Sequence, residues 1–231
     1  MRHFWERQLT DIREQLLMMS GLTERNLSVA MRALVERDDQ LADTAEAEDA
    51  QVDQLEIHID ELVIRFIATH GPIARDCRLM LAASKISNNL ERIADQATKI
   101  ARRARDLNTE PLLRPFIEIP MMADIAQEML RDSITAFVDE DADLAVEIIA
   151  RDHSVDSINK KFARELTESM LADPKTITRA LNLMTVAKAI ERVADHTTNI
   201  AEEVFYLYRG QDIRHEPSRK QPGLPDGPAS P

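Results

Sequence analysis

A chain of 231 residues with 44% hydrophobic but only 4% aromatic side chains, 30% charged residues and five glycines is suited to helices packed through aliphatic seams. Its net charge of -12 argues against nucleic acid as the main partner, because phosphate backbones are held by clustered Lys and Arg in a net basic field, and it fits a cation or a basic protein surface. The lone Cys77 excludes an internal disulfide, no apolar run reaches the ~18 residues of a membrane span, and the start MRHFWERQLT has no apolar signal core, so a cytoplasmic protein is expected.

Punctuation divides the body into six helices, at about 4–37, 39–70, 73–107, 120–139, 142–171 and 175–208. The first two meet at Asp38-Asp39, a capping pair, and the second ends at Gly71-Pro72, a glycine stop followed by a proline start. Helix three carries a heptad seam of Leu79, Ala83, Ile86, Leu90, Ile93, Ala97, Ile100, Ala104 and Leu107. Three prolines between 108 and 120 join the halves. Helix five follows the caps Asp139 and Asp141, and Asp173-Pro174 opens helix six, whose seam runs Leu183, Val186, Ile190, Val193, Thr197, Ile200, Val204 and Leu207. The last stretch, 210–231, has five prolines and three glycines without apolar periodicity and is expected to be a disordered tail.

An offset of 100 residues aligns LERIADQATKIA at 90–101 with IERVADHTTNIA at 190–201, seven of twelve residues being identical, which marks an internal duplication. The expected fold is all-α: two tandem three-helix bundles, residues 1–107 and 121–209, joined by a linker at 108–120.

Each half carries four acids at helical spacing. Glu91 and Asp95 stand one turn apart, as do Glu191 and Asp195, and such like-charge pairs repel by a few tenths of a kcal/mol, roughly, unless neutralised. Lys99, four residues after Asp95, and Lys188, three before Glu191, are the local candidates for that. The preceding helices add Asp49 with Asp53, and Asp152 with Asp156. If helices two and three fold back about 71–72, Asp53 and Glu91 lie 18.5 and 19.5 residues from the midpoint, and Asp49 and Asp95 lie 22.5 and 23.5. In the second half Asp156 and Glu191 are each 17.5 residues from the midpoint of 173–174, and Asp152 and Asp195 each 21.5. Four carboxylates would then converge on the outer edge of each helix pair, an oxygen cluster suited to hard cations such as Mg, Mn, Ca or iron. Helix two also carries Glu46, Glu48, Glu56, Asp60 and Glu61, so a charged, solvated face is the competing reading.

Other residues read as structure. Cys77 is expected to be a small buried hydrophobe, and Met18, Met19, Met121, Met122 and Met129 to fill the core. His3, His58, His70 and His215 are expected at surfaces or boundaries. His153 and His196 follow the acids Asp152 and Asp195 but point about 100° away from them.

The duplicated LERIADQATKIA and IERVADHTTNIAEEVFYLYRG, each preceded one helix earlier by an acidic pair, resemble the PhoU family across residues 1–209. The first copy departs from the fuller pattern, with Gln96 and Lys99 where the second has His196 and Asn199. The resemblance implies a non-enzymatic, homodimeric adaptor, peripheral at most to the membrane through its partners. Those partners would be the ATPase of the phosphate ABC transporter and the sensor histidine kinase of the phosphate regulon, which is repressed when phosphate is plentiful. It also implies surface clusters of divalent or trivalent metal (Fe, Mn, Mg, Zn or Ca). One would rest on Asp49, Asp53, Glu91 and Asp95, the other on Asp152, Asp156, Glu191 and Asp195. The alternatives are a carboxylate-bridged metal enzyme or iron-storage bundle, which would need inward acids and Glu-x-x-His pairs, a phosphotransfer helix pair using His196, and a helical adaptor without metal.

Overall fold

The computed structural model describes residues 2–113 and 117–214, with side chains from Trp5 onward, and the described residues form six long helices and no strand. They are α1 (Arg2–Glu36), α2 (Asp39–His70), α3 (Arg75–Asn108), α4 (Glu118–Val138), α5 (Ala142–Ala172) and α6 (Ile177–Arg209), the last preceded by a 3-10 turn at Pro174–Thr176. No helix among the described residues is long and apolar enough to cross a membrane.

Local chemistry explains the boundaries. Asp38 Oδ1 accepts from the N–H groups of Gln40 and Leu41 at 2.8 and 3.4 Å, and Asp141 Oδ1 from those of Asp143 and Leu144, both at 3.0 Å, which satisfies donors that a helix start leaves open. Asp139 instead closes α4 at its C-terminus. Gly71 ends α2 in the left-handed region at φ 56, as its place before Pro72 predicts. Helix three starts two residues later than expected and α4 two earlier. Pro120 is thereby placed inside the first turn of α4, where its missing N–H costs no hydrogen bond.

Two reversals without glycine turn on a residue of positive φ. Arg37, after α1, and Glu140, after α4, have φ 57 and 58, and each side chain is held by partners that offset the backbone cost. Arg37 Nη2 donates to the carbonyls of Leu107, Asn108 and Glu110 at 3.1, 2.9 and 2.6 Å, capping the end of α3. Glu140 meets Arg13 at 3.6 Å and Arg75 at 2.6 Å. Removing the Arg37 cap by Arg37→Ala is expected to cost about 1–2 kcal/mol, read as a lower urea midpoint at unchanged slope.

The first bundle is α1, α2 and α3, the second α4, α5 and α6, and α3 also packs along α6. Arg78 Nε donates to the Leu207 carbonyl at 3.3 Å, Lys85 Nζ meets Glu203 Oε1 at 2.9 Å, and Arg103 Nη1 donates to Asn182 Oδ1 at 3.4 Å, so α3 and α6 run antiparallel over most of their length. All the expected seam residues of both helices are buried, and α3 buries a wider arc that adds Met80, Ala82, Ser87, Ala94 and Ala101 because it touches α1, α2 and α6. The buried side chains of both bundles therefore form one continuous core. Thr197, the polar residue of the α6 seam, donates to the Val193 carbonyl at 2.9 Å.

Three expectations change. Met19, Met122 and Met129 fill the core, but Met18 and Met121 are each 54% exposed, since neighbours 100° apart on a helix cannot both face inward. Cys77 is half-buried, its thiol donating to the Pro72 carbonyl at 2.9 Å. Residues 210–214 turn back at Gly210 (φ 69), and Arg214 reaches Glu203 at 3.6 Å; the tail from 215 to 231, with His215, lies outside the described residues. His58 is exposed, while His70, at the end of α2, stacks on Phe66 with ring centroids 4.9 Å apart.

Candidate metal centres on two acidic helix pairs

The register of α2 against α3 is fixed by neutral donors. Ser84 Oγ donates to Asp60 Oδ1 at 2.7 Å and Asn88 Nδ2 to Glu56 Oε1 at 3.0 Å. Carried three residues further, this pairing brings Glu91 level with Asp53, and seven residues further, Asp95 level with Asp49. Their charges interact accordingly: Asp49 feels Asp53 and Asp95, and Glu91 feels Asp95, Glu56 and Asp53. The second pair repeats the arrangement, with Asp152 under the influence of Asp195, Asp156 and Glu191. The eight acids thus gather as two groups of four at matching places. Among the described residues, no three His, Cys, Asp or Glu side chains stand close enough together to hold a metal ion in their present rotamers.

The neighbouring cations compensate these acids incompletely. Arg92 lies 3.3 Å from Glu91 and 3.5 Å from Asp95, Lys160 lies 3.6 Å from Asp156, and Lys188 is in contact with Glu191. Lys99 turns to Gln96 Oε1 at 3.2 Å rather than to Asp95. Asp152 Oδ1 is buried without a hydrogen-bond partner. Three further acids of α2 separate from the group: Glu46 pairs with Arg102 and Arg105, Glu48 with Arg25 at 2.7 Å, and Glu61 is exposed.

Burial, and then repulsion by neighbouring carboxylates, pushes Glu91 up to about 7 and Asp152 up to about 6, and burial foremost raises Asp49 and Asp195. A carboxyl whose pKa is raised by folding stabilises the fold below its ordinary value near 4 and loses that contribution as pH rises through the folded value. In chelator-treated protein these groups are expected to lower stability between pH 5 and 8, with Glu91→Gln flattening the upper part of the slope. Urea midpoints across that range check this, and a Glu91→Gln profile parallel to wild type would count against it.

His196 is directed away from the acids. Its Nδ1 lies 3.1 Å from Asn89 Oδ1 of α3, which also accepts from Asn199 Nδ2 at 3.3 Å, and burial foremost lowers its pKa. Glu203, a buried carboxylate of α6, escaped the sequence reading; its partners Lys85 and Arg214 come from distant positions in the chain, and only its place one turn from the seam residues Ile200 and Leu207 marks it.

The family model described as "PhoU domain" matches the chain twice, at residues 16–104 and 119–204. A Pseudomonas putida relative, called a phosphate-specific transport system accessory protein PhoU homolog, is 41% identical over 209 residues, covering 90% of this chain and 82% of its own. The Escherichia coli (strain K12) phosphate-specific transport system accessory protein PhoU is 36% identical over 208 residues, covering 90% of this chain and 86% of its own. The crystal structure of PhoU from Pseudomonas aeruginosa matches with a TM-score of 0.87 at 39% identity, covering 90% of this chain and 100% of that one. Both repeats of the helical body are matched by the family model and the relatives align across them, so this chain belongs to the PhoU family.

Proposed function

We propose that the chain is a non-enzymatic, cytoplasmic regulator of phosphate uptake that links the ATPase of the phosphate ABC transporter to a sensor histidine kinase. In this reading it restrains the phosphate-starvation genes when phosphate is plentiful and works as a homodimer. The observation that carries the reading is the extended likeness, over 90% of the chain, to proteins named as accessories of a phosphate-specific transport system. A pull-down tests it: immobilised chain is expected to retain the transporter ATPase and the cytoplasmic region of the kinase, and retention of neither would overturn it.

Metal enters as a second part of the proposal. The acids fit a hard cation, because the donor set is all oxygen, the carboxyls lie level on paired helices, Asp152 Oδ1 lacks a partner, and nearby cations leave the groups incompletely compensated. Asp49, Asp53, Glu91 and Asp95 would hold one cluster, and Asp152, Asp156, Glu191 and Asp195 the other, after side-chain rotation. The metals would brace α2 to α3 and α5 to α6 by replacing carboxylate repulsion with attraction. The buried carboxylate of the described core is Glu203, which is paired with Lys85, an arrangement that disfavours an iron-storage bundle with inward ligands.

A further inference from the structure

The two repeats share a core but differ on one outer face, where α2, α3 and α6 form a trough. The floor is α3, with Leu81 one turn before Ser84 and Lys85; α2 forms one wall and α6, with the returning Arg214, the other. Ile57, Ile64 and Leu81 are 61%, 67% and 53% exposed. Ile64 and Leu81 lie a turn beyond the Ser84–Asp60 hydrogen bond on their respective helices, so they stand level on the same side of the α2–α3 pair.

Beside these side chains the trough deepens into a polar groove of about 440 Å³, whose carboxylates are Glu56, Asp60, Glu202 and Glu203. Glu56 and Asp60 take their hydrogen bonds from the neutral Asn88 and Ser84, so those partners leave their charge in place. Glu203 is 5% exposed; its Oε1 is shared by Lys85 at 2.9 Å and Arg214 at 3.6 Å, while Oε2 is buried without a hydrogen-bond partner. A guanidinium from the segment after α6 thus already lies in an acidic groove that has acceptor capacity left.

The second repeat supplies an internal control. The residues equivalent to Glu56, Ile57, Asp60, Glu61 and Ile64 are Asn159, Lys160, Ala163, Arg164 and Thr167. Both halves need the same inward seams, yet only the first carries exposed isoleucines beside acids that accept from neutral donors. The difference therefore does not come from the folding pattern of the repeat.

We propose that this trough is a docking site for a basic amphipathic helix of a partner protein. Its apolar side covers Ile57, Ile64 and Leu81, and an Arg or Lys enters the groove at Glu203, taking the place of Arg214. Apolar residues at helical spacing give such a helix its grip, and charge complementarity gives it orientation and partner choice. The inference is independent of the regulatory reading above, because the pull-down and the measurement below can fail separately.

The test is fluorescence anisotropy with the full chain and a labelled 18-residue amphipathic peptide of Leu with Lys and Arg, beside the same peptide with Glu in place of the basic residues. The basic peptide is expected to bind and to weaken as salt rises, and the acidic one not to bind. Ile64→Asn/Leu81→Asn, which leaves the charge unchanged, is expected to weaken binding at least tenfold, while Leu181→Asn, at the position equivalent to Leu81, stays within twofold. Arg214→Ala is expected to tighten binding severalfold. Thermal unfolding of each variant shows that the fold persists, as expected for exposed positions. No binding by the full chain, equal binding of the two peptides, or insensitivity to Ile64→Asn/Leu81→Asn would overturn the proposal. Dissociation of a dimer by that variant, without competition from the peptide, would do so too, since the face would then belong to a second copy of the chain.

Discussion

Phe162→Ala is expected to cost about 3–5 kcal/mol and, although the change lies in the second bundle, to shift the unfolding of the first by the same amount. Phe162 is fully buried in α5, at the position equivalent to the fully buried Ile59 of α2. Truncation removes a whole ring from a close-packed interior that fills such a space only partly. The consequence reaches the other half because α3 and α6 pack along most of their length and the buried side chains form one core. The chain carries its own reporter of this coupling. Trp5, its single tryptophan, meets Phe66 edge-on in the first bundle with centroids 5.4 Å apart. Tryptophan fluorescence and far-ultraviolet circular dichroism are expected to give coincident urea transitions in wild type and in Phe162→Ala, both moved to lower denaturant in the variant. A tryptophan transition left in place while the dichroism splits in two would mean that the bundles unfold independently.

The coupling was the part of the fold least legible in the sequence. Each heptad seam names the residues that face inward, but a seam does not say how many helices it faces; α3 buries Ala82, Ala94 and Ala101 beyond its seam because it serves three neighbours. Lys85 and Glu203 lie 118 residues apart in the chain, and only the antiparallel crossing of α3 and α6 joins them. The register of the acids was legible for the opposite reason. Gly71-Pro72 and Asp173-Pro174 are strong punctuation, and once the turns are fixed, a helix with a rise of about 1.5 Å per residue determines which positions come level. Side-chain choices were not accessible in the same way. Lys99 had an acid four residues before it and an amide three before it, and it took the amide of Gln96. Arg37 and Glu140 adopt a conformation that glycine usually supplies, and the carbonyls and guanidinium groups that hold them are tertiary partners.

Metal binding at the two acidic helix pairs, as proposed above, is expected to have an effect of similar size. Mn2+ added to chelator-treated protein at a hundred times its dissociation constant is expected to stabilise the fold by about 2.7 kcal/mol per site, because a ligand bound only by the folded state contributes in proportion to the logarithm of its saturation. In a chain of this size that corresponds to a rise of roughly 5–11 °C in the melting temperature for each site. The direction follows from the surroundings of the acids: Glu91 and Asp152 are pushed toward their protonated forms by burial and by neighbouring carboxylates, and Asp152 Oδ1 has no donor. A cation reverses both disadvantages at once. Binding must also release protons from these groups, so the gain is expected to be larger at pH 7.5 than at pH 5.5. Asp95→Ala/Asp195→Ala removes one proposed ligand from each group at half-exposed or exposed positions, which should abolish the metal-induced rise while leaving the metal-free fold intact. Elemental analysis of the purified proteins completes the comparison. Equal and near-zero metal in wild type and variant, with no shift of either by added Mn2+, would reduce the eight acids to a solvated face, and the level register of α2 with α3 would then be a consequence of the duplicated helical hairpin alone.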